Sequence, residues 1–261
     1  MKKLAITLSA LAALTGSAFA ADMAPAPRAY SKAPVVVAPS WTGFYIFGGG
    51  GYGMWNADSN PTLFPAGTPT TALQQRYGGS GYFGTVGAGY DWQFNGSWVA
   101  GIFADGSFGS LRGTITDPLP GVAGISGNEK VQDMWAAGVR VGYLVAPNVY
   151  SYVNGGYTGS QWSGTTLAFN FSGTPDRTTA SFNRQGWFLG GGVENSLGFF
   201  GPGWFMKTEY RASEFSRIDI QQLTLAGGPT AFGISFKPWV QTVSTSLVYR
   251  FNWGGPVVAR Y

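Results

Sequence analysis

The strongest constraint on the fold is a repeated alternation of apolar and polar residues along the chain. The clearest run extends from Tyr82 to Phe94, where aromatic and aliphatic residues recur at every second position and Thr85, Asp91 and Gln93 fall between them. Successive side chains of a β-strand point to opposite faces, so this run predicts a strand with one apolar and one polar face. The pattern lacks the period of an amphipathic helix. It therefore favours an all-β fold.

Runs of this kind occur near residues 42–54, 82–94, 98–108, 135–145, 149–158, 187–194, 204–211 and 239–251. Short gaps at 95–97, 146–148 and 198–203 alternate with long gaps at 56–79, 110–130, 160–181 and 214–237. Outer-membrane barrels have an even strand count, short periplasmic turns and long extracellular loops. The sequence predicts an eight-stranded antiparallel up-and-down transmembrane β-barrel, integral to the outer membrane, with periplasmic termini. Glycines leave the phases of the first and fifth strands open.

The low charge content supports a lipid-facing exterior. Charged residues are 11% of the chain, against about 25% in soluble proteins. A soluble lipocalin-like barrel is the alternative, but its outer face would be polar, whereas these runs have one apolar face. The net charge of +4 is a small imbalance without a clustered basic face, so nucleic acid is not an expected partner.

The two ends of the chain carry separate signals. Residues 1–20 have a positive start, an apolar middle and a small-residue end, which predicts a secretory signal peptide cleaved between Ala20 and Ala21. Residues 21–40 are rich in Ala and Pro and predict an extended periplasmic linker. We expect the barrel to occupy residues 41–251 and a short C-terminal tail to occupy 252–261.

Charged residues on the polar faces form the candidate site. Four acidic and four basic side chains are predicted to point inward: Asp91, Asp105, Glu194, Glu209, Arg140, Lys207, Arg211 and Arg250. An eight-stranded barrel is only wide enough for side chains to fill, and an unpaired charge inside would be costly. The balanced signs predict a network of paired charges, and the alternative is a narrow ion path through the same residues.

Other chemistry is poorly supported. Gly48, Gly50 and Gly53 fit a dinucleotide-binding pattern, but no helix is predicted after them to hold a pyrophosphate. The chain contains neither Cys nor His, which removes thiol nucleophiles and histidine-based catalysis. We therefore expect neither an enzyme nor a bound cofactor or metal.

The strand sequences carry a resemblance to a known family. The segment WTGFYIFGGGGYG at 41–53 resembles the first strand of the small alphaproteobacterial outer-membrane proteins, the twenty-five and thirty-one kilodalton surface antigens. The segments GYDWQF, GWFLGGGVE, MKTEYR and LVYRF are similar to later strands of that family. The resemblance covers the mature chain and implies a surface-exposed eight-stranded barrel with a structural, envelope-integrity and surface-contact role. A small porin-like channel for ions or small solutes is the alternative.

The resemblance also implies partners. Outer-membrane lipid and lipopolysaccharide would surround the barrel, and the barrel-assembly machinery would insert it by a C-terminal aromatic residue. Phe251 and Tyr261 are both candidates for that insertion signal, because residues 252–261 follow the last predicted strand. A mature Ala-Asp start in this family is associated with attachment to peptidoglycan, and Ala21 followed by Asp22 matches it.

Overall fold

The structure is a computed structural model that describes residues 40–70, 74–117 and 124–251. One antiparallel sheet dominates it. In chain order its strands are β1 (Gly43–Leu63), β2 (Thr68–Pro69), β3 (Gln75–Phe94), β4 (Trp98–Asp117), β5 (Ile125–Ala146), β6 (Val149–Trp162), β7 (Thr166–Phe169), β8 (Pro175–Thr179), β9 (Phe182–Ser196), β10 (Trp204–Phe215), β11 (Ile218–Thr224) and β12 (Pro229–Phe251). Within the described ranges, no helix is long and apolar enough to span a membrane.

Eight of these strands close a ring. The ring order is β1-β3-β4-β5-β6-β9-β10-β12, and β12 pairs with β1 to complete it. Each ring strand pairs with its sequence neighbour in an antiparallel register, which confirms the predicted up-and-down barrel. The Asn95-Gly96 turn between β3 and β4 has positive φ at both residues, as a tight hairpin requires.

The predicted long loops are partly wrong, because the strands continue into them. β1 extends to Leu63 and β12 begins at Pro229, and β7, β8 and β11 continue the wall between β5 and β12. The alternation is reversed there, because apolar side chains such as Leu111 and Ile115 point inward while polar side chains such as Arg112 and Thr114 point outward. An apolar cluster of inward side chains holds these extensions together, including Trp55, Trp162 and Phe236.

Two rings of outward aromatic residues mark the membrane-spanning part. The ring beside the short turns includes Phe44, Trp92, Trp98, Tyr143 and Phe251, and the second includes Tyr52, Tyr82, Phe108, Trp135, Tyr157, Trp187 and Tyr210. Along β4 the interval from Trp98 to Phe108 is 11 residues, and a tilted membrane strand needs about 9–11. The parts of β1, β3, β4, β5 and β12 beyond the second ring form the extracellular extension.

The structure decides the two open phases. On β1 the side chains of Tyr45, Phe47 and Trp55 are buried inside the barrel, while Phe44 and Ile46 face outward. On β6, which is the fifth ring strand, Tyr150 and Tyr152 point inward and Val153 points outward. The large inward aromatic rings fill the lumen, since a barrel of eight strands leaves room only for side chains.

Candidate functional site

All eight predicted interior charges lie inside the barrel, in two groups. The first group contains Asp91 on β3, Arg140 on β5, Glu194 on β9 and Arg250 on β12. Arg140 Nε lies 2.9 Å from Asp91 Oδ1, and its Nη1 lies 3.2 Å from Glu194 Oε2. Arg250 Nη1 lies 2.7 Å from Asp91 Oδ2, and its Nη2 lies 2.7 Å from Glu194 Oε1. Two arginines and two carboxylates thus form a closed quartet that joins four strands across the lumen.

Inward glycines make room for this quartet. Asp91 lies opposite Gly101 on β4, and Gly101 lies opposite Arg140 on β5. A Cβ atom at Gly101 would overlap the Asp91 carboxylate, so glycine lets Asp91 reach across β4 to Arg140. The Tyr45 ring occupies a similar space beside Gly89 and lies 4.3 Å from the Arg140 guanidinium carbon. Alternation predicts the charges, but it does not show that the glycines between them are needed.

The second group lies nearer the extracellular side and contains Asp105, Lys207, Glu209 and Arg211. Arg211 Nη2 lies 2.8 Å from Asp105 Oδ2 and 2.7 Å from Glu209 Oε1. Lys207 Nζ lies 3.8 Å from Glu209 Oε2 and 3.4 Å from the centre of the Phe47 ring. The Tyr152 hydroxyl and the Asn154 amide each donate to Glu209 Oε2 at 2.8 Å. Glu209 is therefore the acceptor that holds this group together.

Apolar layers enclose the two groups from both sides. On the periplasmic side Trp41 is fully buried, its ring packs against Tyr150 and Phe205, and its carbonyl accepts a hydrogen bond from Arg250 Nη1 at 3.1 Å. On the extracellular side lies the cluster around Trp55, Trp162 and Phe236. Trp41 was absent from the predicted site because it precedes the first strand. The sequence indicates an interior position for Trp41 only by placing it directly before a run of alternating residues.

One interior carboxyl has no cationic partner. Glu129 lies on the extracellular extension of β5, beyond the second aromatic ring, and is 2% exposed. It faces the apolar cluster, where Gly113 is its ladder partner on β4, and its Oε1 atom has no hydrogen-bond partner. Burial raises the pKa of Glu129 to about 8, although a hydrogen bond from the Lys130 backbone opposes the shift. Glu129 was not among the predicted site residues.

A second extracellular acid is held differently. Asp117 at the end of β4 accepts a hydrogen bond from the Gln222 amide at 2.7 Å, and Gln222 in turn accepts one from Arg177 at 2.8 Å. Burial raises the pKa of Asp117, and the Gln222 hydrogen bond and the Arg177 charge oppose the shift. This chain of contacts ties β4 to β11 and β8 across the barrel mouth.

The chemistry available to the interior groups is limited by their pairing. Each of the four membrane-level carboxylates contacts at least one cation, and breaking such a buried pair costs about 3–5 kcal/mol. Among the residues that the structure describes, no three His, Cys, Asp or Glu side chains are grouped to hold a metal ion. The arrangement is suited to bracing the wall and filling the lumen.

The remaining predicted residues are at or beyond the ends of the barrel. Phe251 is the last residue of β12, faces outward and pairs with Phe44 on β1. The cleavage residues Ala20 and Ala21, the other insertion candidate Tyr261, and the segments 1–20, 21–39 and 252–261 lie outside the described residues.

Comparisons with known proteins agree with this architecture. Residues 6–251 match the family described as "Outer membrane protein beta-barrel domain". The chain is 28% identical to the 31 kDa outer-membrane immunogenic proteins of Brucella melitensis and Brucella suis, over 94% of this chain and 99% of each relative. The outer membrane protein OprG of Pseudomonas aeruginosa has a similar fold, with a TM-score of 0.55 at 11% identity, over 82% of this chain and all of that one. The chain therefore belongs to the outer membrane protein beta-barrel domain family, within its small alphaproteobacterial surface-antigen group, and is an integral protein of the outer membrane.

Proposed function

We propose that this protein is a closed barrel with a structural, envelope-integrity and surface-contact role. The observation that supports it best is the quartet of Asp91, Arg140, Glu194 and Arg250, which joins four strands across the lumen. A quartet that satisfies its own charges braces the wall and occupies the space that a solute would need. Its partners under this proposal are outer-membrane lipid, lipopolysaccharide and the barrel-assembly machinery.

The layers above and below the quartet support a closed lumen. Trp41 and Phe205 fill the periplasmic end, and the cluster around Trp55 and Phe236 fills the extracellular end. Water-filled channels typically require about 16 strands, twice the number in this ring. We therefore do not expect general diffusion of solutes, and we expect no catalysis, since the membrane-level carboxylates are engaged by cations.

The extracellular extension supports a role in surface contact. Its strands continue beyond the second aromatic ring and remain hydrogen-bonded to one another, so the loops at their ends are attached to a continuous sheet. Phe171, between β7 and β8, is 71% exposed, and Leu225, between β11 and β12, is 58% exposed. Because both side chains lie in loops at the tips of the extension, they are available for contact with another surface.

Conductance in a planar lipid bilayer tests the closed lumen. The purified protein should give no sustained openings of porin size. Steady openings would favour the small porin-like channel instead. In that case Arg140→Gln should change ion selectivity, because this buried guanidinium lies inside the barrel, through which the ions would pass.

Deletion in the host bacterium tests the envelope role. Cells that lack the protein should become more sensitive to detergent, and the wild-type gene should restore resistance. A variant that replaces Phe171 and Leu225 by Ser should restore resistance but lose surface contact, because these tips are remote from the interior groups. Unchanged detergent sensitivity of the deletion strain would contradict the envelope role.

A further inference from the structure

Two basic side chains lie side by side on the outside of the barrel, just beyond the second aromatic ring. Arg112 on β4 and Lys130 on β5 are direct ladder partners, and both are on the outward face, since the adjacent Leu111 and Val131 are buried inside. Like charges directly opposite each other on a sheet destabilise the pair. An anion bound between them would remove that repulsion.

Two other outward cations beyond the second aromatic ring already have acidic partners. Arg76 forms an ion pair with Asp58 at 2.9 Å, and Lys237 forms one with Glu214 at 2.6 Å. Across the described ranges, Arg112 and Lys130 form no ion pair, including with Asp133, the exposed acid on β5. Their two positive charges are therefore available to a ligand.

A hydrogen bond directs the Arg112 side chain toward the membrane surface. Arg112 Nε donates to Ser110 Oγ at 2.7 Å, and Ser110 lies two residues nearer the aromatic ring. On the far side of the pair, Thr114 and Asn128 bond to each other across the same two strands. The guanidinium thus bends back toward Phe108 and Trp135, which face the lipid below it.

We propose that Arg112 and Lys130 bind a phosphate group of the lipid A part of lipopolysaccharide in the outer leaflet. A phosphate is the anion expected at this depth, where the headgroup layer begins outside the hydrocarbon core. Arginine suits it because the guanidinium can donate two parallel hydrogen bonds to phosphate oxygens. The acyl chains of the same molecule would then run along the outward residues of β4 and β5 between the two aromatic rings. This site depends on the membrane position of the barrel and not on the proposed envelope role.

Native mass spectrometry of the detergent-solubilised protein tests the proposal. Wild-type protein should bind diphosphoryl lipid A about 25-fold more tightly than a dephosphorylated lipid A, since each of the two basic residues near an anionic headgroup contributes about a fivefold effect. The double variant Arg112→Gln/Lys130→Gln should lose that preference. The matched control Arg76→Gln/Lys237→Gln, which removes two cations with protein partners beyond the same aromatic ring, should keep it.

Two results would overturn the proposal. One is a double variant that folds and still prefers the phosphorylated lipid. The other is displacement of lipid A by an equal concentration of inorganic phosphate, which would indicate a site for free phosphate. If the double variant does not fold, Lys130→Gln alone should reduce the preference for phosphorylated lipid A about fivefold. An unchanged preference in that single variant would also overturn the proposal.

Discussion

Replacing Glu129 by Gln should make the barrel less sensitive to alkaline pH. Glu129 is buried among apolar side chains without a cation, and burial raises its pKa from 4.5 to about 8. Between these two values the folded state retains a proton that the unfolded state has released. The free energy of unfolding must therefore fall as pH rises through this window, and the full loss is reached above pH 8.

The size of the effect follows from the width of that window. Each pH unit between the unfolded and folded pKa contributes about 1.4 kcal/mol, so ionisation of Glu129 lowers the free energy of unfolding by at most about 5 kcal/mol. Glu129→Gln keeps an oxygen that can accept the Lys130 hydrogen bond but cannot ionise. The variant should equal the wild type near pH 4 and exceed it increasingly up to pH 9.

Urea unfolding in detergent micelles, followed by tryptophan fluorescence at a series of pH values, measures this difference. Asp133→Asn is the matched control, because it removes an exposed carboxylate from the same strand and leaves Glu129 in place, so the loss of stability at alkaline pH should persist. Parallel pH curves for wild type and Glu129→Gln would refute the reasoning. They would mean that Glu129 is hydrated or paired in the folded protein.

Three further predictions concern the interior and the N-terminus. Glu209→Ala should lower the free energy of unfolding by about 3–5 kcal/mol, because it leaves Lys207 and Arg211 short of a buried partner; Glu214→Ala, at a surface pair, should cost at most about 1 kcal/mol in the same urea titration. Gly101→Ala should lower the free energy of unfolding by about 1–3 kcal/mol, because the added methyl group displaces Asp91. The control Gly48→Ala, where the nearest atoms to an added Cβ are 3.9 Å away, should unfold like the wild type. Equal losses of stability in the two variants would show that the contact with Asp91 is not decisive. If Ala21 is attached to peptidoglycan, detergent-boiled sacculi should release an Ala21 peptide joined to a muropeptide, and recovery of only a free Ala21 amine would contradict the attachment.

Sequence reasoning succeeded where one local rule controls a long segment. Side chains alternate along a strand, so the outward or inward direction of Trp135, Val139 and Arg140 could be predicted without knowing their neighbours. The prediction was wrong beyond the membrane, where strand pairing continues into segments that were expected to be loops. The extracellular parts of β1 and β12 are paired there from Asp58 with Lys237 to Leu63 with Phe232.

By itself the sequence determined the eight-stranded barrel, its membrane placement and the inward direction of the eight charges, because each depends on alternation, gap length and composition along the chain. Only the tertiary structure decided which charges meet. Arg140 contacts Asp91 and Glu194, which are 49 and 54 residues away along the chain. Such pairing depends on ring closure, on the relative registers of several strands, and on glycines such as Gly101 that leave space between them. The unpaired Glu129 and the outward pair of Arg112 and Lys130 could likewise be found only in the tertiary structure. Whether a side chain has a partner depends on residues that are distant from it in the sequence.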